Sequence, residues 1–531
     1  MPAVPGGPSA SQAAPERRAS NRLSSSPATT ADEAEFSRLF ALSFTGLIAT
    51  SFGFVLRAFV IDDWGREFAL TQTQKGEILG VGLWPVAISI ALFSFIIDRV
   101  GFRAVFLFAI ACQVISTALT LAATGYTTLY VATFIVALGS GAVEAAANPL
   151  VATLYRNDKT RWLNALHAGW PAGLVLGGLL ALATGAQVNW RFKIVLVALP
   201  ILLSAALLRG RRFPVSERVA AGVSFRDMLA EAGAVSALLT GGLVVFALGA
   251  IFDWSRLTEI VLTVALTLLY GFYCRSIGRP LFILMLLVMI PLAITELGTD
   301  SWITSLMEPQ MTRLGLQSGW VLVYTSALML VLRLTAGPIV HRLKPLGLLA
   351  AGSAVAALGL WSLSVASGVM ILAAATIYGL GKSFLWPTSL GFVSEQFPKG
   401  GAVTLNVVGA VGMLAVGVAG SVMLGSIQDH ATEKALAAHD QRAGTAWSTA
   451  LLGEERRSIF GSYRGVDPRA LAATDAGTRA AVLELIATSK KQALRTVAIL
   501  PVVMLATYLA LLGYFRLRGG YRPTALPARP L

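Results

Sequence analysis

Charge is what this sequence has least of. Only 13% of its 531 residues are Asp, Glu, Lys or Arg, where a water-soluble chain carries about a quarter. So little charge cannot cover a soluble surface of this size, and a soluble globular enzyme is excluded. Cysteine is nearly absent as well. Cys112 and Cys274 both fall in or beside apolar stretches, where they read as small core hydrophobes, which excludes a disulfide framework. The four histidines are scattered without ligand spacing, so no metal site is expected. No nucleophile–base set or phosphate loop points to an enzyme or to any cofactor.

What remains is apolar. Hydrophobic residues make up 55% of the chain and the mean hydropathy is +0.70. They occur in many separate runs of roughly 18–25 residues, each long enough to cross a hydrocarbon core of ~30 Å as a helix. The fold class expected is all-α, a polytopic membrane protein whose main partner is the lipid bilayer. A net charge of +14 invites comparison with nucleic-acid binders. Here, however, the basic residues sit in short clusters between apolar runs, where the positive-inside rule puts them. Nucleic acid is therefore not an expected partner.

Residues 1–36, rich in Pro, Ser, Ala and Arg, read as a disordered cytoplasmic tail. The first apolar run is long and is expected to act as its own insertion signal. Spans fall at roughly 37–60, 75–97, 102–123, 127–152, 163–184 and 191–209, an N-terminal six-helix bundle over 37–209. A connector over 210–279 carries two more runs, 235–252 and 257–274. The C-terminal bundle, 280–515, has runs at 280–303, 318–340, 345–366, 369–391, 402–426 and 493–515, and 516–531 is a second tail. That is about fourteen transmembrane helices in two six-helix bundles plus an inserted helix pair. The stretch 427–490 reads as a long outer loop forming a small helical cap. Arg99, Arg103, Arg156, Lys159, Arg161, Arg209, Arg211, Arg212, Arg342, Lys344 and Arg516 all fall on one side. Both termini are then cytoplasmic, in the plasma (inner) membrane.

A short basic loop occurs twice. Asp98-Arg99-Val100-Gly101-Phe102-Arg103 closes one apolar run, and His341-Arg342-Leu343-Lys344 closes another after Gly337. The same loop in both halves implies an internal duplication, a signature of two-repeat transporters. The first copy resembles the loop between helices two and three of the major facilitator superfamily, G-x-x-x-D-R-x-G-R-R, with Ser94 and Phe102 as departures. The resemblance implies gating roles for Asp98, Arg99, Gly101, Arg103, Gly337, His341 and Arg342. Bacterial peptide transporters and fourteen-helix drug exporters also carry an inserted pair, but the E-x-x-E-R signature of the peptide family is absent.

An ionisable group inside a span is a site candidate by default, because its burial is costly unless it is paired or wetted. Glu144 and Asn148 lie four apart on one face of the fourth helix, beside small residues that allow close helix approach. Burial disfavours the charged form of a carboxyl, so Glu144 is a candidate proton carrier or else a structural hydrogen-bonding group. Glu296 and Asp300 are also four apart, on the seventh helix. Lys382 on the tenth helix takes the place of Glu144 when Pro387 is aligned with Pro149, and the two are expected to pair or to divide proton and anion between them. Arg333 is expected nearer the cytoplasmic end, in the gating network. Gly169, Gly173 and Gly177 form a packing stripe, and Trp170 and Trp386 are candidates for stacking on a sugar.

The run Glu144-Ala145-Ala146-Ala147-Asn148-Pro149, followed by a basic loop and Leu163-Asn164-Ala165-Leu166-His167, is similar to the fucose–proton symporter family. Phe68-Ala69-Leu70-Thr71 with Gln74 and Gly76 resembles it too. The resemblance implies a proton-coupling role for Glu144. The family's first-helix N-x-x-D pair is replaced here by Val55 to Ala58 with Arg57 as the only charge. Its fifth-helix asparagine aligns with Trp170, and a glutamine with His167. Arg57 then suits an acidic substrate, an internal pair with Glu144, or a residue snorkelling at the outer helix end. The expected activity is proton-coupled uptake of a sugar or sugar acid by a monomer, with protons and a small-molecule substrate as partners. An antiporter exporting drugs or metabolites and a non-transporting membrane receptor are the alternatives.

Overall fold

In hydrocarbon every backbone N–H and C=O must be satisfied within the protein, and apolar runs of roughly 18–25 residues do so as helices, since a spanning strand needs only about 9–11. The computed structural model describes residues 30–526 except 71, 186, 300–310, 312–314, 318, 454 and 459–460. The first half contains α1 (Thr30–Glu67), α2 (Gln72–Gly80), α3 (Trp84–Leu121), α4 (Tyr126–Leu154), α5 (Lys159–His167), α6 (Gly169–Thr184), α7 (Trp190–Val195) and α8 (Ala198–Leu208). The connector holds α9 (Glu217–Ala220), α10 (Phe225–Phe252) and α11 (Arg256–Cys274). The second half begins with α12 (Pro280–Ala293), which runs into a π-helical turn, Ile294–Gly298. There follow α13 (Gly319–Leu334), α14 (Ala336–Val365), α15 (Met370–Lys382), α16 (Leu385–Gln396) and α17 (Gly401–Leu414).

Among the described residues eleven helical stretches are long and apolar enough to cross a membrane, and α13 is a shorter apolar helix. The difference from fourteen lies in how passes join. Glu77–Leu121 is one stretch bent at Gly101, α13 shares a pass with the first limb of α14, and α15 with α16 makes another. The bends carry the internal repeat. Gly101 has φ 79°, ψ 155° and Lys344 has φ 58°, ψ 166°, so the fourth residue of each basic loop turns the chain in the same way. Glycine adopts this region freely, whereas lysine holds it at a cost of about 1–3 kcal/mol. Lys344→Gly should therefore raise stability by ~1 kcal/mol after glycine's entropy of ~0.5–1 kcal/mol is subtracted. Gly101→Ala should lower it by a similar amount. A thermal midpoint for Lys344→Gly at or below that of the parent would show that no strain is held there.

The glycine stripe is a packing seam. A Cβ on Gly173 would overlap Ser51 Oγ and stand 2.6 Å from the Ile48 carbonyl, so α1 and α6 lie backbone to backbone. The inserted pair begins with two serine caps, Ser224 accepting from Asp227 N–H and Ser255 from Thr258 N–H. Its outer member, α11, exposes Leu257, Ile260, Val264, Leu268 and Phe272, a lipid-facing row.

Two expectations about the ends need correction. α1 starts at Thr30, inside the stretch read as tail, and continues to Glu67, a turn and more beyond the expected 60. Residues 1–29 lie outside those described. α17 (Gly401–Leu414) likewise does not end with its apolar run. It passes through a π turn, Ala415–Gly420, into α18 (Ser421–Ala443). The cap then adds α19 (Trp447–Ala450), α20 (Pro468–Ala472), α21 (Ala476–Val497) and a hairpin of β1 (Arg456–Ser458) and β2 (Gly461–Tyr463) that the helix-friendly composition did not announce. Leu436, Leu451 and Val482 form its small core, and α22 (Ile499–Leu517) is the last pass.

Candidate functional site

Proline inside a helix removes the N–H that would bond the carbonyl four residues earlier, and leaves that carbonyl in need of another donor. Three of this chain's helix prolines lie beside the site, Pro149 inside α4 and Pro171 and Pro387 each the third residue of a helix that follows directly on α5 or α15. The site is built on the carbonyls they free. Pro149 frees Ala145 O, which accepts from Asn406 Nδ2 at 3.1 Å, joining α4 to α17 across the two halves. Pro171 frees His167 O and Pro387 frees Ser383 O. Both accept from one guanidinium, that of Arg333 on α13: Nη1 donates to His167 O at 2.9 Å and Nε to Ser383 O at 2.7 Å.

The third side of that guanidinium meets a carboxylate. Arg333 Nη2 lies 2.6 Å from Glu296 Oε1, with the side chains 3% and 4% exposed. Glu296 sits in the π turn after α12, the kind of helix irregularity that often marks functional positions. Its other oxygen accepts the Trp386 backbone N–H at 2.9 Å, a donor released because α15 ends at Lys382 and α16 restarts at Leu385. On the first half, Asn148 Nδ2 donates to Glu144 Oε2 at 2.9 Å, and Asn148 Oδ1 lies 2.9 Å from His167 Nε2. An amide oxygen only accepts, so His167 carries a proton on Nε2. A polar chain thus runs Glu144–Asn148–His167–Arg333–Glu296–Trp386, from one half into the other through the His167 main chain.

Arg333 is a correction. Its position in the run 318–340 points to the gating loops, whereas the guanidinium is buried at the seam between the halves, held by Glu296, His167 O and Ser383 O. Arg57 is another. It is 4% exposed, and its Nη2 donates to Ser116 Oγ on α3 at 3.0 Å. It neither snorkels, since α1 runs ten residues past it, nor makes an ion pair among the described residues, with Glu144 or any other acid. Nor do Glu144 and Lys382 form an ion pair. The Lys382 Nζ stands 5.3 Å from the centre of the Tyr378 ring, whose hydroxyl bonds Thr295 O and Thr299 Oγ1. Trp170 is half-buried beside Phe54, ring centres 6.1 Å apart. The Trp386 indole packs where Gly412 and Met289 meet, so only its main chain reaches the polar chain. Asp300 lies outside the described residues. A cleft of 660 Å³ opens in the cap between α18 and α21, lined by Ser426, His430 and Gln492 among others; the buried chain lies elsewhere, and its chemistry rather than cavity size marks the site.

The loop candidates occupy the end where the basic residues gather. Asp98 accepts from Arg218 Nη2 at 2.6 Å and from Ser216 Oγ at 2.8 Å, tying the first loop to the connector. Arg99 lies over the Phe225 ring at 5.2 Å, while Arg103 and Arg342 are exposed. Gly337 packs beside Arg161. His341 Nε2 reaches Asp158 Oδ2 at 3.1 Å, linking the halves. Lys159 Nζ donates to Ser394 O at 3.2 Å and Asn164 Nδ2 to Thr388 Oγ1 at 3.1 Å, so this end is bonded shut.

The family model described as Major Facilitator Superfamily matches residues 39–439. The chain belongs to the Major Facilitator Superfamily. It is an integral membrane transporter by family, not an enzyme. Among solved structures, the fold is similar to that of FucP, the fucose:proton symporter of E. coli, at 15% identity and a TM-score of 0.55, over 89% of this chain and 99% of that one. The human organic anion transporter MFSD10 gives 12% identity and a TM-score of 0.58, over 89% and 99%. The proton:xylose symporter XylE gives 15% and 0.55, over 74% and 88%. Identities this low establish the fold alone. No curated protein matches the chain in sequence.

Proposed function

We propose that this superfamily member is a proton-coupled importer of a small polar solute, a sugar or sugar acid, working by alternating access of its two halves. The observation that carries this reading is the polar chain from Glu144 to Glu296. It contains a carboxyl on the first half, an ion pair on the second, and only hydrogen-bonding groups between them. Glu144 is the proton site, and Asn148 and His167 relay its state to Arg333. In an alternating cycle it meets water from one end at a time, so it loads a proton on one side and releases it on the other. In this reading Lys382, Trp170 and the Arg333–Glu296 pair meet the solute when the site opens, while Arg57 and the Trp386 ring hold the helices. The basic end faces the cytoplasm, in the plasma membrane, and each monomer is a complete carrier. Two of the similar structures are described as proton symporters of sugars and one as an organic anion transporter, which agrees with this class of solute.

The test is uptake by proteoliposomes with acid imposed outside, offered glucose, galactose and fucose or glucuronate and galacturonate. The expected result is inward accumulation driven by the gradient. Outward movement would identify an exporter, and none with either set would remove the reading. Lys382→Gln should narrow any preference for the sugar acids by about tenfold or more, since a cation at ~4 Å and an effective dielectric of ~20 is worth about 4 kcal/mol. If neutral hexoses compete equally in both proteins, Lys382 is a structural partner instead.

A further inference from the structure

At the basic end one carboxylate holds three parts of the chain. Glu395, on the last turn of α16, is 9% exposed. Its Oε1 accepts from the Thr160 hydroxyl at 2.5 Å and from the Thr160 backbone N–H at 3.3 Å, at the start of α5 in the first half. Its Oε2 accepts from the Tyr521 hydroxyl at 2.6 Å, beyond the end of α22. The same turn of α16 is bound twice more by this C-terminal segment. Thr524 N–H donates to Glu395 O at 2.8 Å, and Gln396 Nε2 donates to Arg522 O at 2.9 Å.

The segment is built to lie there. Pro523 fixes its own φ and holds Arg522 extended, which presents the Arg522 carbonyl to Gln396. The Tyr521 ring is seated against Phe392 and Phe515, centres 5.8 and 5.4 Å away. Burial, and then the adjoining Glu395 carboxylate, push the Tyr521 phenol far above its usual range. It therefore remains a donor throughout the physiological pH range.

Thr160 belongs to one half, and Glu395 with Tyr521 to the other. In this superfamily the halves rock to open each end in turn, so the Thr160–Glu395 bonds must break whenever the basic end opens. A carboxylate free to rotate would meet Thr160 only part of the time. With Oε2 tied to Tyr521, Oε1 is held facing Thr160. We propose that residues Tyr521–Thr524 form a strap that locks the basic end closed through Glu395, with Tyr521 as the positioning residue that sets how often this end opens.

The test uses full-length protein carrying Thr388→Cys. Thr388 is fully buried at the seam and bonded to Asn164 of the other half, so a thiol there reacts with a maleimide only when the basic end parts. The native Cys112 and Cys274 are buried, and protein without Thr388→Cys supplies the background. Adding Tyr521→Phe, which keeps the ring and removes only the hydroxyl, should speed labelling about tenfold, the usual weight of a hydrogen bond to a charged group. A chain ending at Gly520 should label at least as fast. In a Glu395→Gln background, Tyr521→Phe should add nothing, since its action passes through that carboxylate. Unchanged labelling in Tyr521→Phe would overturn the proposal even if the shortened chain does not fold. Acceleration of equal size in the Glu395→Gln background would equally overturn it, because the strap would then act by another route.

Discussion

Glu144→Gln is expected to abolish uphill accumulation while sparing solute exchange. The amide keeps the shape of the side chain and still offers an oxygen to Asn148 Nδ2, which lies 2.9 Å from Glu144 Oε2. It cannot take up or release a proton, so the flow of solute no longer depends on the proton gradient. Coupling is a free energy between two bound species, and it vanishes when one of them has no site. In proteoliposomes with acid outside, the internal-to-external ratio should fall to about one, the value for an uncoupled carrier. Exchange of labelled against unlabelled solute should continue at a rate near that of the parent. Accumulation that survives in the variant would remove Glu144 from the mechanism.

The second large effect concerns the pair at the seam. Breaking a buried ion pair by removing one partner costs about 3–5 kcal/mol, because the remaining charge is left unpaired in a low-dielectric interior. Arg333→Gln additionally weakens the donors to His167 O and Ser383 O, so it should be the more damaging change, and Glu296→Gln the less. Replacing both, as Glu296→Leu with Arg333→Met, should recover the part of the loss that comes from the unpaired charge. It should not recover the part that comes from leaving His167 O, Ser383 O and the Trp386 N–H without their partners. Transport should not return with it, since the link between the halves is gone. A double variant that is both stable and fully active would reduce the pair to packing.

The contrast between what could and could not be read from the residues has physical causes. Membrane passes are legible because bilayer thickness fixes their length and apolar composition fixes their state. The repeat is legible because Gly101 and Lys344 end loops of the same form, and the backbone bends the same way at both. The Glu144–Asn148 contact follows from a spacing of four on a helix. Arg333 is not legible as a site residue because a run such as 318–340 fixes only a rough depth, while its partners Glu296, His167 O and Ser383 O come from three other stretches of the chain. A signal for it was nevertheless present: Trp170-Pro171 and Trp386-Pro387 stand in the two halves, and each proline releases a carbonyl four residues back that a buried donor has to satisfy. Arg57 was placed by assuming a helix end that α1 overruns by seven residues, from 60 to Glu67. The seating of Tyr521 left no trace at all, because a polar segment of a few residues gives neither periodicity nor a hydrophobic run to read.

The central claim is that a proton enters with the solute and does so through Glu144. Lightly buffered proteoliposomes containing an entrapped pH-sensitive dye test it directly, with no gradient imposed and with hexoses or hexuronates added outside. Solute entry into vesicles of the parent protein should acidify the interior, and the same addition to Glu144→Gln vesicles should leave the dye unchanged while exchange proceeds. Measured solute entry in the parent with no change in internal pH would contradict the account.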